Sequence, residues 1–189
     1  MTTRTILPVL DDRAREYACS HIEPLQDFIN DYADGMVHDG LDVADAVSNA
    51  NSRFCDFMEE NGFDPDNDQA EGLVSLIEAC MLEVRRACVG RKRPKTFLHT
   101  EAYFKGADLD LMCDHIRHFS RIFTEMLTLY RQDEADECHV IEHTAARFIE
   151  HLDGAGCHVT PELRRAVTEY AMLATLTVMA VELVLLPPA

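Results

Sequence analysis

Residues 170–181 form an unbroken run of twelve uncharged, mostly apolar positions closed at its two ends by Glu169 and Glu182. Helical spacing runs through it, so the segment reads as a helix that is apolar on every side. Such a helix has to be covered all round, either as the central helix of a bundle or by a second subunit. A membrane span takes about 20 apolar residues, and the flanking carboxylates close this run well short of that. A bundle organised around its last helix is the expectation, with homodimerisation through the same helix as the other way of covering it.

The rest of the chain repeats the helical period. No segment shows the alternation of β-branched residues with Asn-Gly or Asp-Gly turns that hairpins require. The predicted fold class is all-α: a single-domain helical bundle, 1–189, of about five to seven helices with a buried apolar C-terminal helix. The first helical region covers 12–36, with Ala14, Tyr17, Ile22, Leu25, Phe28, Ile29 and Tyr32 at apolar positions. Ser20 and Glu23 have capping-box spacing ahead of Pro24, so a break near Ser20 is expected. A second helix follows Asp42, placing Val43, Val47, Ala50, Phe54 and Phe57 inward until Gly62. A third begins near Asp68 and ends at Gly90. Residues 91–106 read as an irregular basic connection. Beyond it, Asp108 is expected to cap a long helix in which Met112, Ile116, Phe119, Phe123, Met126 and Tyr130 step by fours and threes. Residues 134–152 carry a matching seam of Cys138, Ile141, Ala145, Phe148 and Leu152. Two such seams joined by a short connection form an antiparallel pair. Thr160 caps the last helix, with Pro161 in its first turn.

Charge narrows the partners. The net charge is −17, and its distribution is uneven: residues 1–84 hold 19 acids and 4 bases, residues 85–105 hold 1 acid and 7 bases, and residues 106–189 hold 14 acids and 6 bases. A field of that sign disfavours nucleic acid and anionic membrane and favours solubility. The N-terminal segment lacks the apolar core of a signal peptide, and the 7 cysteines are scattered without a C-x-x-C pair. Cytoplasmic thiol usage is the expectation.

Three motifs carry possible chemistry. His139-Val140-Ile141-Glu142-His143 has the H-x-x-E-H order and resembles the zinc motif of inverzincin metallopeptidases, which implies two histidine ligands and a glutamate base. Here the helical wheel turns His139 and His143 away from the apolar stripe, toward solvent, and the resembling family has a much larger α/β fold, so no catalytic residue is assigned. Cys113, Asp114, His115 and His118 form a second cluster, in which Asp114 and His118 share a helix face. Asp64, Asp66 and Asp68 open like a calcium loop, yet Gln69 stands where the loop needs glycine and Ser75 where it needs glutamate; acids at a helix start also suit the dipole. Phosphate loops and nucleophile elbows are absent from the sequence, so the common nucleotide and hydrolase classes are not expected.

The functional expectation is an acidic helical module that binds another, basic protein, not an enzyme. The fitting roles are a regulator or inhibitor of a nucleic-acid-handling complex, a phage-type antagonist of host defence such as an anti-CRISPR, a toxin-neutralising immunity protein or a secretion chaperone. The partner-binding candidates are Asp27, Asp31, Asp34, Glu59, Glu60, Asp64, Asp66 and Asp68, with Arg91, Lys92 and Arg93 of the basic connection. No cofactor is expected under this reading. The alternative is a bundle that binds zinc or another transition metal through His139, His143, Asp114 and His118.

Overall fold

The computed structural model describes residues 6–89 and 98–185, and 81% of these are helical, in 8 helices with no strand among the described residues. The chain is an all-α helical bundle with an apolar C-terminal helix. The helices are α1 (Asp12–Ser20), α2 (Ile22–His38), α3 (Val43–Glu60), α4 (Asn67–Val89), α5 (Thr100–Tyr103), α6 (Gly106–Arg131), α7 (Glu137–Gly154) and α8 (Pro161–Leu185). The first helical region divides at His21, beside the break expected near Ser20, and the short α5 follows the basic connection.

Two compact units can be distinguished. One takes in residues 6–8 and His99–Thr175, and the other takes in the described residues of Val9–Leu98 together with 176–185. In the first unit α6 and α7 pair as an antiparallel hairpin. Phe119 of α6 meets Phe148 of α7 edge-on at 5.3 Å and lies 5.1 Å from the ring of Tyr170. Phe104 adds an edge contact to Tyr170 at 5.3 Å, and the Tyr170 hydroxyl bonds to Thr100 Oγ1 at 3.0 Å. Tyr170 thus buries a large ring while its hydroxyl keeps a partner, as a buried phenol requires.

In the second unit α2, α3 and α4 pack pairwise. Ile22, Leu25, Ile29 and Ala33 are the buried stripe of α2, and Ala46, Val47, Ala50, Phe54 and Met58 that of α3. The carboxamide of Gln26, also buried, donates through Nε2 to the Leu176 carbonyl at 3.1 Å and to Asn30 Oδ1 at 2.8 Å.

All residues of 170–181 are buried. α8 has an 18-residue window of mean hydropathy 1.5, long and apolar enough to cross a membrane, but 78% of that window is buried within the chain. Protein therefore covers the helix that the sequence requires to be covered.

Acidic and hydroxylic caps set the helix starts. Asp11, Asp42, Asp136 and Thr160 each accept a backbone N–H in the first turn of α1, α3, α7 and α8. Two expectations about caps change. Ser20 does not cap α2; its hydroxyl donates to the Glu16 carbonyl at 2.8 Å, and His21 stands at the cap position without a side-chain bond. Asp108 lies inside α6, in the first turn, with Lys105 at the cap. Asp66 and Gln69, by contrast, form a reciprocal capping box: Gln69 N–H donates to Asp66 Oδ1 at 2.9 Å and Asp66 N–H to Gln69 Oε1 at 3.1 Å. Gln69 then reaches Asp11 Oδ2 at 2.9 Å, joining the starts of α4 and α1.

Gly72 lies in α4 where a Cβ would press into the carbonyl oxygen of Val9 and come within 3.2 Å of Leu10 Cδ2. In an open helix Gly→Ala stabilises by about 1 kcal/mol. Here the sign should reverse, and Gly72→Ala is expected to destabilise the protein by about 1–3 kcal/mol in urea unfolding. The Asp11 carboxylate is held below its ordinary value of 3.8, first by the Ala14 N–H and next by Gln69. Its contribution is fully present above the unfolded pKa and is lost as the pH falls through the lowered folded value. Asp11→Ala should cost about 1 kcal/mol at pH 7, and the gap between its unfolding curve and that of the unsubstituted protein should narrow below pH 3.8.

Candidate functional site

The acids singled out in the sequence divide into two groups by what they do for their own helices. Asp66 belongs to the capping box of α4, and Asp68 lies in its first turn where the helix dipole favours a carboxylate. Local structure accounts for both. Asp64 is exposed ahead of them. Asp27, Asp31 and Asp34 are exposed along α2, at spacings of four and three that align them, with Glu23 one turn before, on the face opposite Leu25 and Ile29. Like charges at this spacing oppose the helix by a few tenths of a kcal/mol per pair. At the end of the row His38 Nε2 lies 3.7 Å from Asp34. Glu59 and Glu60 occupy the last turn of α3, where the dipole also opposes negative charge. These five residues therefore sit where like-charge spacing or the helix dipole works against them. Arg91, Lys92 and Arg93 lie outside the described residues.

An aromatic strip runs beside the row. Phe28 of α2 and Phe57 of α3, both expected to point inward, are half-buried, their rings 6.4 Å apart and edge-on. The Arg53 guanidinium covers Phe28 at 5.1 Å, while His21 meets Phe57 at 5.7 Å and stacks on Tyr17 at 4.1 Å. The helical repeat places Asp31 on the side of Phe28 and Glu60 on the side of Phe57. Half-exposed aromatics and arginine are the residue types that anchor protein interfaces.

The second constellation lies on the α6–α7 hairpin. His139 and His143 stack on each other at 3.9 Å on α7, His139 half-buried and His143 exposed. They do not meet Asp114 or His118. The antiparallel register puts His118 against His151 instead, rings stacked at 3.5 Å, eight residues or roughly 12 Å of helix beyond His143. Asp114 is exposed on α6. His115 joins the group: its Nδ1 is 3.0 Å from His151 Nε2 and its Nε2 is 3.7 Å from the Cys157 Sγ. His118 and His151 are both held below the ordinary imidazole value, by desolvation first, then by Arg121 for His118 and by the neighbouring imidazoles for His151.

His151 and Cys157 were missed as site residues in the sequence. The signal was the hairpin register: a short turn near residue 134 folds α7 back so that His118 faces residues near 150, not those near 141. Comparison of the chain with protein-family models, with curated proteins and with solved structures found no match.

If the α2 row opposes its own helix, removing one charge should help the fold. Asp31→Asn, which relieves contacts with both Asp27 and Asp34, is expected to raise stability by a few tenths of a kcal/mol in low-salt unfolding, an increment that should fade at high salt.

Proposed function

We propose that this chain is an acidic protein-binding module that docks a basic partner on the α2–α3 face. The observation that carries this reading is the pairing of the half-buried strip Tyr17, His21, Phe57 and Phe28 with a row of carboxylates that the fold does not need. Each half has a separate physical task. Carboxylates steer a cationic partner toward the face and raise the encounter rate. Aromatic rings supply area that survives desolvation and so slow dissociation. A net charge of −17 supports a basic protein over nucleic acid as the partner. Regulation or inhibition of a nucleic-acid-handling complex, as a phage-type antagonist of host defence would exert, fits this chemistry, because such complexes expose basic surfaces.

The test begins with capture from nuclease-treated bacterial lysate, washed at low and at high salt, with mass spectrometry to identify what is held. Kinetics with that partner then separate the two halves of the face. Neutralising Asp27, Asp31 and Asp34 to asparagine should slow association about tenfold at low salt and much less at high salt. Phe57→Ala should leave association nearly unchanged and speed dissociation about tenfold or more. A captured partner indifferent to both sets of substitutions binds elsewhere and removes this reading.

A further inference from the structure

His115 has a partner on each of its two ring nitrogens, a thiol on one side and a second imidazole on the other, where α6, α7 and the turn after α7 meet. We propose that Cys157 is a nucleophilic thiol, with His115 as its base and His151 as the residue that positions that base, and that it forms a mixed disulfide with a low-molecular-weight disulfide.

The backbone presents the thiol for structural reasons of its own. After α7, Gly156 turns the chain at a φ of +79°, its N–H bonded to the Asp153 carbonyl at 3.0 Å. The Cys157 N–H then returns to the Leu152 carbonyl at 3.0 Å. That closed turn carries the sulfur to 3.7 Å from His115 Nε2, where Cys157 is half-buried and not sealed from solvent. The opposite nitrogen, His115 Nδ1, is 3.0 Å from His151 Nε2. An imidazole that takes a proton through one nitrogen is oriented by the bond its other nitrogen makes. With His115 Nδ1–H donating to His151, Nε2 is left to accept from the thiol. His118 stacks on His151 at 3.5 Å, the rings within 7° of parallel, which fixes the plane of the accepting ring. Desolvation first, then His118 and His115, hold His151 below the ordinary imidazole value and favour its accepting form. Arg121 and Arg147, on the His118 side, favour a thiolate and oppose an imidazolium, and Glu125 pairs with both at 3.9 Å and 2.8 Å. Asp153 is paired with Arg164 of α8 at 3.0 Å.

The turn also selects the chemistry. Acyl transfer needs donors aimed at a developing oxyanion, and the N–H groups of Gly156 and Cys157 are already bonded within the turn. Thiol–disulfide exchange needs only a thiolate and a proton for the leaving sulfur. The Cys157 thiol passes its proton to His115 Nε2, and its sulfur attacks one sulfur of the incoming disulfide. That S–S bond breaks as the Cys157 mixed disulfide forms, and the departing thiolate takes the proton from His115. The Cys157 sulfur is oxidised, the released sulfur is reduced, and no other reactant is consumed.

The experiment uses the full reduced chain and two neutral probes, iodoacetamide and hydroxyethyl disulfide, so that the net charge of −17 does not bias access. Peptide mass spectrometry reads the rate at each cysteine. Exposure alone ranks Cys113 ahead of Cys157. Cys157 should instead react about tenfold faster than Cys113, or more, with both probes at pH 7. His115→Gln should slow Cys157 about tenfold at that pH and leave Cys113 unchanged, and the deficit should close at about pH 10, where a thiol ionises unaided. His151→Ala should slow Cys157 as well, and His151→Gln, whose Oε1 can accept the same N–H, should restore part of the rate. Far-UV circular dichroism confirms that each variant is folded. A Cys157 no faster than Cys113, unmoved by His115→Gln, or alkylated without forming the mixed disulfide overturns the proposal. So does a His115→Gln deficit that persists at high pH, which marks lost packing and not a lost base.

Discussion

Every side chain from Tyr170 to its eleventh successor in α8 is buried, and a helical segment without a wet face needs protein on every side. Its backbone polar groups are satisfied internally, so the demand falls on the side chains. Apolar ones contribute about 1.5–3 kcal/mol each when fully buried. The polar ones need partners. Thr175 donates to the Ala171 carbonyl one turn back at 2.9 Å, Thr177 donates to the Cys80 sulfur at 3.6 Å, and the Tyr170 hydroxyl meets Thr100. The same burial acts on Cys80, whose thiol pKa is pushed up to about 12. That sulfur is a structural acceptor in a dry environment and not a reactive group. α8 contributes an element to each compact unit, Tyr170 at the aromatic centre of one and residues from Leu176 onward in the other.

The elements that the sequence made legible are those governed by local chemistry. Thr160 followed by Pro161 starts α8, the seam through Met112, Phe119, Phe123 and Met126 is the buried face of α6, and the break beside Ser20 separates α1 from α2. Each follows from propensity or periodicity within a few residues. Where the reading failed, a contact distant in sequence decided the outcome. Gln69 looked like a defect in a calcium loop, but it is half of a capping box and a link to Asp11, and the link spans 58 residues. Phe28 and Phe57 fit the inward stripes of their helices, yet where α2 and α3 meet they remain half-buried. Helical phase tells which side a residue occupies and not how far the neighbouring helix covers that side.

Register explains the histidines in the same way. Composition alone drew attention to His115, His118, His139 and His143, and it could not say which of them face one another. Two helices rising about 1.5 Å per residue separate wrong from right pairings by a turn or more when the connecting turn is misplaced by two or three residues. The actual α7 begins at Glu137, three residues later than the sequence pattern suggests. That is nearly a full helical turn, about 4.5 Å along the hairpin, and it moves the pairing in the direction that brings His151 against His118 but covers only part of the eight residues between His143 and His151.

The two constellations answer differently to the question of what a fold needs. Helix starts need acceptors, and Asp11, Asp42, Asp66 and Asp136 provide them. Nothing in helix formation calls for Asp27, Asp31 and Asp34 in a row, or for Glu59 and Glu60 at a carboxyl end. Nor does packing call for three imidazoles at one place. All three are only partly buried, and each ring nitrogen turned inward needs a partner. Residues that local stability disfavours are offset by the rest of the fold or by something that binds to them. For the carboxylates a cationic surface would be that binder. Binding through such a diffuse electrostatic face weakens as ionic strength rises, because exposed charges separated by more than a Debye length are screened.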